Sequence, residues 1–304
     1  MGLLNGIVVK TAPYMPKFVI GKIASRYVAG DSIDDGISLV KRLNSKGFSG
    51  TLDLLGEEVT DISKASKITK SYCEILDAIE EAGVDCNISL KLTSMGLNID
   101  REICWSNFKT VLDTAKKSNN FVRIDMEDSS VTQLTIDMYK RAKEYYPKVG
   151  TVLQSYMRRT VDDVSDMLDD NPNLRICKGA YKESEDIAYQ GRDEIRNNYL
   201  QAASMMLDKG AYVALATHDT VLINSLEEVI AEKEISPDGY EFQALSGVPV
   251  EKTLERLVKE NHKVRYYIPF GSEWYAYSLR RMKENPDIWK HTLKALFFRS
   301  SHRK

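Results

Sequence analysis

The chain has 304 residues, of which 43% are hydrophobic and 28% are charged, and this composition excludes a disordered, collagen-like or disulfide-rich protein. Lys and Arg number 42 against 44 Asp and Glu, so the net charge is −2 and there is no overall basic field that would attract nucleic acid. The sequence holds no run of about 18 apolar residues, so we expect no membrane-spanning helix.

The four cysteines show no pattern of disulfide or metal chemistry. They are Cys73, Cys86, Cys104 and Cys177, and neither a CxxC pair nor a Cys/His cluster with zinc spacing occurs. We therefore predict unpaired, buried thiols of a reducing compartment and no metal site. Basic residues interrupt the apolar N-terminal stretch, which also lacks a small-residue cleavage site. We therefore expect no secretory signal and a cytoplasmic location.

A strand-like segment followed by a helix-like segment recurs along the chain. The strand-like segments begin at Gly50, Asn87, Phe121, Val149, Leu174, Tyr212, Tyr240 and Val264. Helical periodicity is clearest over residues 62–82, 192–207 and 220–233, and Asp31 or Ser32 is placed to cap an earlier helix that runs through Leu43. The spacing of these segments is that of βα units, which predicts a parallel sheet.

The number of βα units favours an α/β fold of the TIM-barrel type, because eight units close a (β/α)8 barrel. The alternative is an open doubly wound sheet, for which a GxGxxG turn after the first strand would be typical. The first strand is followed by LLGEEVT instead. We expect extra helices over residues 1–45 and the barrel domain, including a C-terminal helix, over residues 46–304.

Polar and apolar side chains alternate on the second and third strands. Ser89 and Lys91 alternate with apolar residues in NISLKLT, and Arg123 and Asp125 do so in FVRIDMED. The helix-facing side of a barrel strand is apolar, so the polar set is expected to point inward. Lys91 and Asp125 would then lie near the carboxyl ends of adjacent strands, where barrel active sites are found. The alternative is a structural ion pair between neighbouring strands.

Further polar residues lie within the later strands or at their ends. They are Gln154, Arg175, Thr217, His218 and Gln243. So many polar side chains at one rim of a barrel indicate a ligand site. The segment KGAY at 178–181 places a lysine beside a glycine, which suits close approach of a flat or phosphorylated ligand, although a glycine at a strand end is often only a turn.

A helix that begins after Ser272 is predicted to follow the eighth strand. On this helix Tyr277, Arg280, Arg281 and Glu284 are spaced so that they share one face. Two arginines beside aromatic side chains suit a small anionic ligand with an apolar body, and Glu284 would support the arginines. The alternative is a solvent-exposed Arg/Glu face on a surface helix.

Seven motifs, taken in order, resemble those of the proline dehydrogenase family, the FAD enzymes of proline catabolism. They are ISLKLTSMG, FVRIDMEDS, VLQSY, LRICKGAY, ATHD, EFQALSG, and YIPFG followed by YAYSLRRMKEN. The resemblance covers nearly the whole chain, from DLLGE onward, and is to the single-function form of the family. It implies a distorted (β/α)8 barrel with the final helix over the barrel mouth.

The resemblance also implies roles for individual residues. Lys91, Arg280 and Arg281 would bind the proline carboxylate, and Tyr267, Tyr277 and Leu245 would line the pocket around the ring. Asp125, Arg175 and Tyr267 would occupy the catalytic positions, with Arg175 close to the flavin N5 region. The residues expected to hold FAD are Met126, Gln154, Arg175, Lys178, Gly179, Ala180, Thr217 and His218.

The implied reaction oxidises L-proline to Δ1-pyrroline-5-carboxylate by hydride transfer to FAD, and the electrons then pass to a membrane quinone. A peripheral membrane contact is therefore implied, at the inner face of the cell membrane. Its one candidate in the sequence is the C-terminal LKALFFRSSHRK, an apolar and basic helix end. The alternative is that these phenylalanines dock onto the barrel.

Two other functions fit parts of the same pattern. A Schiff-base aldolase on the same barrel would use Lys91 or Lys178 as its nucleophile. A non-catalytic module would bind FAD or proline without bleaching the flavin. A flavoprotein purifies yellow, whereas an aldolase is colourless and is trapped by borohydride with its substrate.

Overall fold

The eight strands form a closed parallel barrel in which each strand pairs with the next and the last pairs with the first. The computed structural model describes residues 20–21, 24–56, 59–275 and 277–279. The strands are β1 (Ser49–Leu54), β2 (Cys86–Leu90), β3 (Val122–Ile124), β4 (Val149–Gln154), β5 (Asn173–Cys177), β6 (Tyr212–Ala216), β7 (Tyr240–Leu245) and β8 (Val264–Phe270). The predicted TIM-type α/β fold is therefore confirmed.

Helices alternate with the strands. They are α1 (Ile33–Asn44), α2 (Ile62–Ala82), α3 (Arg101–Lys117), α4 (Thr132–Tyr145), α5 (Thr160–Met167), α6 (Arg192–Asp208), α7 (Thr220–Glu232) and α8 (Glu251–Lys259). Short 3-10 helices occur at Thr93–Met95, Leu168–Asp170 and Pro237–Gly239. In the part of the chain that the structure describes, none of the helices has the length and apolar character needed to cross a membrane.

Local sequence explains why the helices begin and end where they do. The Ser32 side chain accepts a hydrogen bond from the Asp35 amide, and the Asp35 carboxylate accepts one in return, which forms a capping box at the start of α1. Asp61 caps α2 through the amide of Ser63. Gly83 ends the same helix in the left-handed conformation, with a φ of 60° that costs glycine little.

The alternation along each strand separates the apolar shell from a polar interior. Outward-facing Leu52, Ile88 and Leu90 are fully buried in a core shared with the surrounding helices. The intervening positions point inward, where the Thr51 hydroxyl donates to the Asn87 side chain across β1 and β2. The predicted inward orientation of the polar stripes is therefore correct.

Strands β2 and β3 end earlier than the sequence predicted. Lys91 and Asp125 lie one residue beyond the ends of β2 and β3, and the chain after Lys91 turns into the 3-10 helix at Thr93–Met95. The Ser94 hydroxyl stabilises this turn by donating to the Lys91 carbonyl at 2.6 Å, and Gly96 ends it with a φ of 100°. Thr217 and His218 likewise follow β6 rather than ending it.

A segment that precedes α1 lies against the carboxyl end of β8. Its backbone joins the end of β8, since the Ala29 amide donates to the Pro269 carbonyl at 2.9 Å and the Gly271 amide donates to Gly30 at 2.9 Å. Beyond β8, Trp274, Tyr275 and residues 277–279 are helical, as predicted for the final helix. Val28, Leu55, Trp274 and Tyr277 pack together here.

None of the four cysteines forms a disulfide bond within the part of the chain that the structure describes, as predicted. Cys86 and Cys104 are buried, whereas Cys73 and Cys177 are only half-buried, so the expectation of burial is correct for two of them. Burial raises the pKa of both Cys86 and Cys104 to about 12, so these two thiols stay protonated at neutral pH.

Candidate active site

A cavity of about 290 Å³ opens at the carboxyl ends of the strands. Every strand, or the turn directly after it, contributes to its wall, for example Asp53, Lys91, Asp125, Gln154, Arg175, Ala216, Gln243 and Tyr267. The volume lies near the lower end of the ~300–1,000 Å³ typical of small-molecule pockets. The cavity therefore occupies the position where barrel enzymes carry their active sites.

Four charged side chains form a connected cluster in the cavity wall. The Lys91 ammonium lies 3.0 Å from an Asp53 carboxylate oxygen and 3.3 Å from an Asp125 oxygen. The second Asp125 oxygen accepts from the Arg175 guanidinium at 2.8 Å. An ammonium has three donors, so Lys91 keeps one N–H beyond its two carboxylates.

Asp125 is the centre of this cluster. Besides its two cations, it accepts from the Ser89 hydroxyl at 2.5 Å and from the Tyr267 hydroxyl at 2.7 Å. The Arg175 guanidinium also lies over the Tyr267 ring, 5.2 Å from its centroid. Five side chains from four different strands or their ends are thus held in one geometry.

The electrostatic environment shifts the pKa values of Asp53 and Asp125 in opposite directions. Burial raises the pKa of Asp53 above its ordinary value, against the opposing charge of Lys91. Burial would also raise the pKa of Asp125, but Lys91, Arg175 and the bond from Ser89 outweigh it, so this pKa is lowered. Burial lowers the pKa of Lys91, yet the two aspartates reverse the effect and leave it well above its ordinary value. Lys91 and Asp125 are therefore charged at neutral pH.

A second charged group lies at the rim, after β5 and β6. The Asp219 carboxylate pairs with the Lys178 ammonium and with Arg196, whose Nε lies 2.9 Å away. Asp219 also caps α7 through the Val221 amide. Burial and the charge of Lys178 lower the pKa of neighbouring His218, so this imidazole is neutral at pH 7.

The KGAY segment lines the cavity through residues 178–181. Gly179 has a φ of 106°, and a Cβ at this position would lie 2.1 Å from the Tyr156 ring. Only glycine fits, and the backbone beside it remains open to the cavity. On the neighbouring strand β4, the Gln154 amide donates to the Glu127 carbonyl at 2.8 Å, which fixes the orientation of this side chain.

One buried donor in the wall has no partner among the described residues. The Arg175 Nε is buried and makes no hydrogen bond, although an Nη atom of the same guanidinium binds Asp125. A buried unpaired N–H is costly unless a ligand or water satisfies it. Arg175 lines the cavity, so a ligand with acceptor atoms on this wall fits the donor.

The described residues predicted for the site all line this one cavity. They are Lys91, Asp125, Met126, Gln154, Arg175, Lys178, Gly179, Ala180, Thr217, His218, Leu245, Tyr267 and Tyr277. Arg280, Arg281 and Glu284 lie outside the described residues, as does the C-terminal segment LKALFFRSSHRK.

Sequence reasoning missed Asp53, Ser89 and Asp219 as members of the site. Asp53 is almost completely buried and contacts Lys91, and Ser89 binds Asp125. The same inward alternation that selected Lys91 also applies to Asp53 in TLDLL, so a signal was present in the sequence. Asp219 had a weaker signal, because an aspartate before a helix is ordinarily only its cap.

Comparison with known proteins gives the same family over most of the chain. The family model described as "Proline dehydrogenase" matches residues 37–292. The chain is 37% identical to Proline dehydrogenase 1 of Bacillus subtilis strain 168 over 273 residues. The aligned region covers 90% of each chain. It is 34% identical over 270 residues to Proline dehydrogenase of Deinococcus radiodurans, covering 87% of this chain and 86% of that one.

A solved structure with a similar fold is proline utilization A (PutA) from Bdellovibrio bacteriovorus, a crystal structure of the protein inactivated by N-propargylglycine. The TM-score is 0.81 at 22% identity, over 89% of this chain. The chain spans only 34% of the length of that much longer protein. At this identity the likeness concerns the fold, whereas the two curated relatives carry the assignment: the chain belongs to the proline dehydrogenase family.

Proposed function

We propose that this protein oxidises L-proline to Δ1-pyrroline-5-carboxylate, with FAD as the hydride acceptor and a quinone as the final electron acceptor. Membership of the proline dehydrogenase family supports proline as the substrate. The single structural observation that carries the proposal is the Arg175 guanidinium, which is buried in the cavity wall and whose Nε has no partner among the described residues.

Residues on one side of the cavity would hold FAD. They are Met126, Gln154, Arg175, Lys178, Gly179, Ala180, Thr217 and His218. When bound, FAD supplies an acceptor for two electrons and a proton taken together as hydride. The bare backbone at Gly179 suits a flat ring system, and the Lys178 ammonium suits a phosphate group. The neutral imidazole of His218 avoids adding a further cation to this side.

The charged cluster would bind the substrate carboxylate. Lys91 has one N–H left after its bonds to Asp53 and Asp125, and its side chain is 23% exposed. We propose that Arg280 and Arg281 supply the other donors, supported by Glu284. Fixing a small substrate by its one anionic group converts an encounter into a defined orientation.

The ring of proline would meet an apolar and aromatic wall. Leu245, Tyr267 and Tyr277 line this part of the cavity. The Tyr267 hydroxyl donates to Asp125, so its ring is held at a fixed angle. Asp125 in turn orients the Arg175 guanidinium, which would stabilise negative charge developing on the acceptor side of the cavity.

An anaerobic titration tests this proposal. In the oxidation, one ring C–H bond breaks with its electron pair leaving as hydride, the ring nitrogen loses a proton to solvent, and a C=N bond forms. We expect purified protein to be yellow and L-proline to bleach its absorbance without oxygen. Acid precipitation should release the colour into the supernatant, because we propose non-covalent FAD.

The same preparation separates the alternatives. A colourless protein that becomes covalently trapped by borohydride with a carbonyl substrate would be an aldolase, and the proposal would be wrong. A yellow protein that L-proline does not bleach would be a binding module. Reoxidation of the bleached protein by a short-chain quinone tests the electron acceptor, and recovery of the flavin absorbance is expected.

A further inference from the structure

A layer of buried charge lies beneath the cavity, toward the amino-terminal ends of the strands. Arg123 on β3 is 2% exposed, and Glu241 on β7 is 4% exposed. The Glu241 carboxylate is paired with Arg265 of β8 at 2.9 Å, and Arg265 also donates to the Gly50 carbonyl at 2.6 Å. This buried pair is neutral as a unit, and Arg265 also lies 3.9 Å from the exposed Asp85. The charge of Arg123 remains.

Among the residues that the structure describes, Arg123 donates only to uncharged acceptors. Its Nη1 donates to the Thr151 carbonyl at 2.9 Å and to the Asn173 carbonyl at 2.8 Å, and its Nη2 donates to the Asn173 side chain at 2.6 Å. Within the described part of the chain no carboxylate lies at ion-pair distance from it. Burying an unpaired charge is costly, so its presence in the barrel interior calls for a physical role.

Strand β4, which lies between β3 and β5, has a glycine where the Arg123 side chain crosses it. Gly150 of β4 faces the interior at this level, and a Cβ there would lie 2.4 Å from the Arg123 Nη1 and 2.5 Å from the Asn173 carbonyl. Arg123 therefore reaches from β3 to β5. One layer above, Arg175 reaches from β5 back to Asp125, just beyond β3.

Arg123 and Arg175 repel each other electrostatically. Burial and then the positive charge of Arg175 lower the pKa of Arg123 to about 9, so Arg123 is still charged at neutral pH. The other groups that act on Arg123 are Glu241, Tyr212 and Tyr139. A charge in a low-dielectric interior acts over a longer distance than one in water.

We propose that Arg123 is a positioning residue whose buried charge, acting with Arg175 above it, raises the reduction potential of the FAD bound in the cavity. This inference rests on the proposed function, because it requires FAD beside Arg175. Two-electron reduction adds negative charge to the flavin unless a second proton follows. A fixed positive charge beneath the site stabilises that state.

The inference is tested with one variant that removes a positive charge and another that removes a negative charge. Arg123→Gln removes the positive charge but keeps amide N–H donors. Arg123→Lys keeps the positive charge but loses the paired N–H donors of the guanidinium. Glu241→Gln removes a negative charge from the same layer at nearly constant shape. Arg141→Met is the control, since Arg141 is an exposed arginine paired with Glu102. For each variant, FAD per chain, thermal unfolding and the midpoint potential against a reference dye are measured.

We expect Arg123→Gln to shift the midpoint potential of the flavin to more negative values and Glu241→Gln to shift it to more positive values. Arg123→Lys and Arg141→Met should stay near the wild-type potential. If Arg123→Gln does not fold, the Glu241→Gln shift alone decides. An unchanged potential in the variants that fold, or an equal shift in Arg123→Lys and Arg123→Gln, would overturn the inference.

The proposed function fails in a different way. A wild-type protein without FAD contradicts the proposed function, and this inference with it. A wild type that holds FAD and is bleached by L-proline, combined with an unchanged potential in Arg123→Gln and Glu241→Gln, contradicts the inference alone. A purely structural role for Arg123 would lower the unfolding temperature of Arg123→Gln and Arg123→Lys without separating their potentials.

Discussion

Lys91 links two buried carboxylates in the cavity wall. It lies between Asp53 and Asp125, two buried carboxylates that would otherwise repel each other. Asp125 keeps a second cation in Arg175, whereas the cation that pairs with Asp53 is Lys91. The same ammonium therefore neutralises the interior and, under the proposed function, would also offer a donor to the substrate carboxylate.

Lys91→Met should destabilise the protein by about 3–5 kcal/mol at pH 8, because it removes one partner of a buried ion pair. Asp53 would be left without its cation and its pKa, already raised by burial, would rise further. A carboxyl whose folded-state pKa is raised loses stability as pH increases toward that pKa. The loss should therefore be smaller at pH 5 than at pH 8 in denaturant unfolding.

The double variant Lys91→Met with Asp53→Asn is the control for this prediction. The double variant removes the Asp53 carboxylate as well as the Lys91 ammonium, so no unpaired charge is left buried. It should therefore recover most of the stability that Lys91→Met loses at pH 8. Equal losses for Lys91→Met at pH 5 and pH 8 would show that packing of the lysine stem, and not charge, accounts for the effect.

Tyr267→Phe tests the hydrogen bond to Asp125 while keeping the ring beneath Arg175. A hydrogen bond to a charged group is worth about 1.5–3 kcal/mol, so kcat/KM for L-proline should fall about ten- to a hundred-fold. This bond lowers the pKa of Asp125, so its loss should move the acidic limb of the pH profile upward. Tyr266→Phe, on the outward face of the same strand, should leave both kcat/KM and the pH profile unchanged.

At the scale of elements, the strands and helices follow closely from local sequence. The 62–82 helix has the predicted bounds because Asp61 caps its start and Gly83 ends it. The predicted strand starts agree with the structure within one residue. What local sequence could not supply is register: the meeting of Asp53 with Lys91 depends on how β1 pairs with β2 in the closed barrel.

The turn after β5 shows what an element contributes to a ligand site. Gly179→Ala should reduce the FAD bound per chain, because its Cβ would lie 2.1 Å from the Tyr156 ring and must displace the cavity wall. Gly210→Ala is a matched control: it too has a positive φ, of 67°, but no atom lies within 4 Å of its Cβ. Both variants should lose about 1–2 kcal/mol from the left-handed backbone.

The measurement is the ratio of flavin absorbance to protein after dialysis, with unfolding in urea as the stability reference. We expect Gly210→Ala to keep its full FAD content at reduced stability. If Gly179→Ala also keeps it, the KGAY segment does not contact the cofactor, and the FAD side of the cavity has been placed wrongly.

At the scale of the whole molecule, the cavity is the place where all the strands meet. Asp53, Gln154, Arg175 and Tyr267 come from β1, β4, β5 and β8, and the remaining strands contribute in the same way. β8 closes on β1 through a register that runs from Ser49 to Leu54. A ligand that fills the cavity would therefore contact residues from every strand or from the turn directly after it.

FAD should consequently stabilise the barrel as a unit. At a free concentration one hundred times its Kd, a ligand that binds only the folded state raises the free energy of unfolding by about 2.7 kcal/mol. We expect urea unfolding followed by far-UV circular dichroism and by tryptophan fluorescence to shift together to higher denaturant when FAD is added to apoprotein. The shift should be smaller in Gly179→Ala than in Gly210→Ala. A shift seen by only one of the two probes would mean that the barrel does not unfold as a single unit around the cofactor.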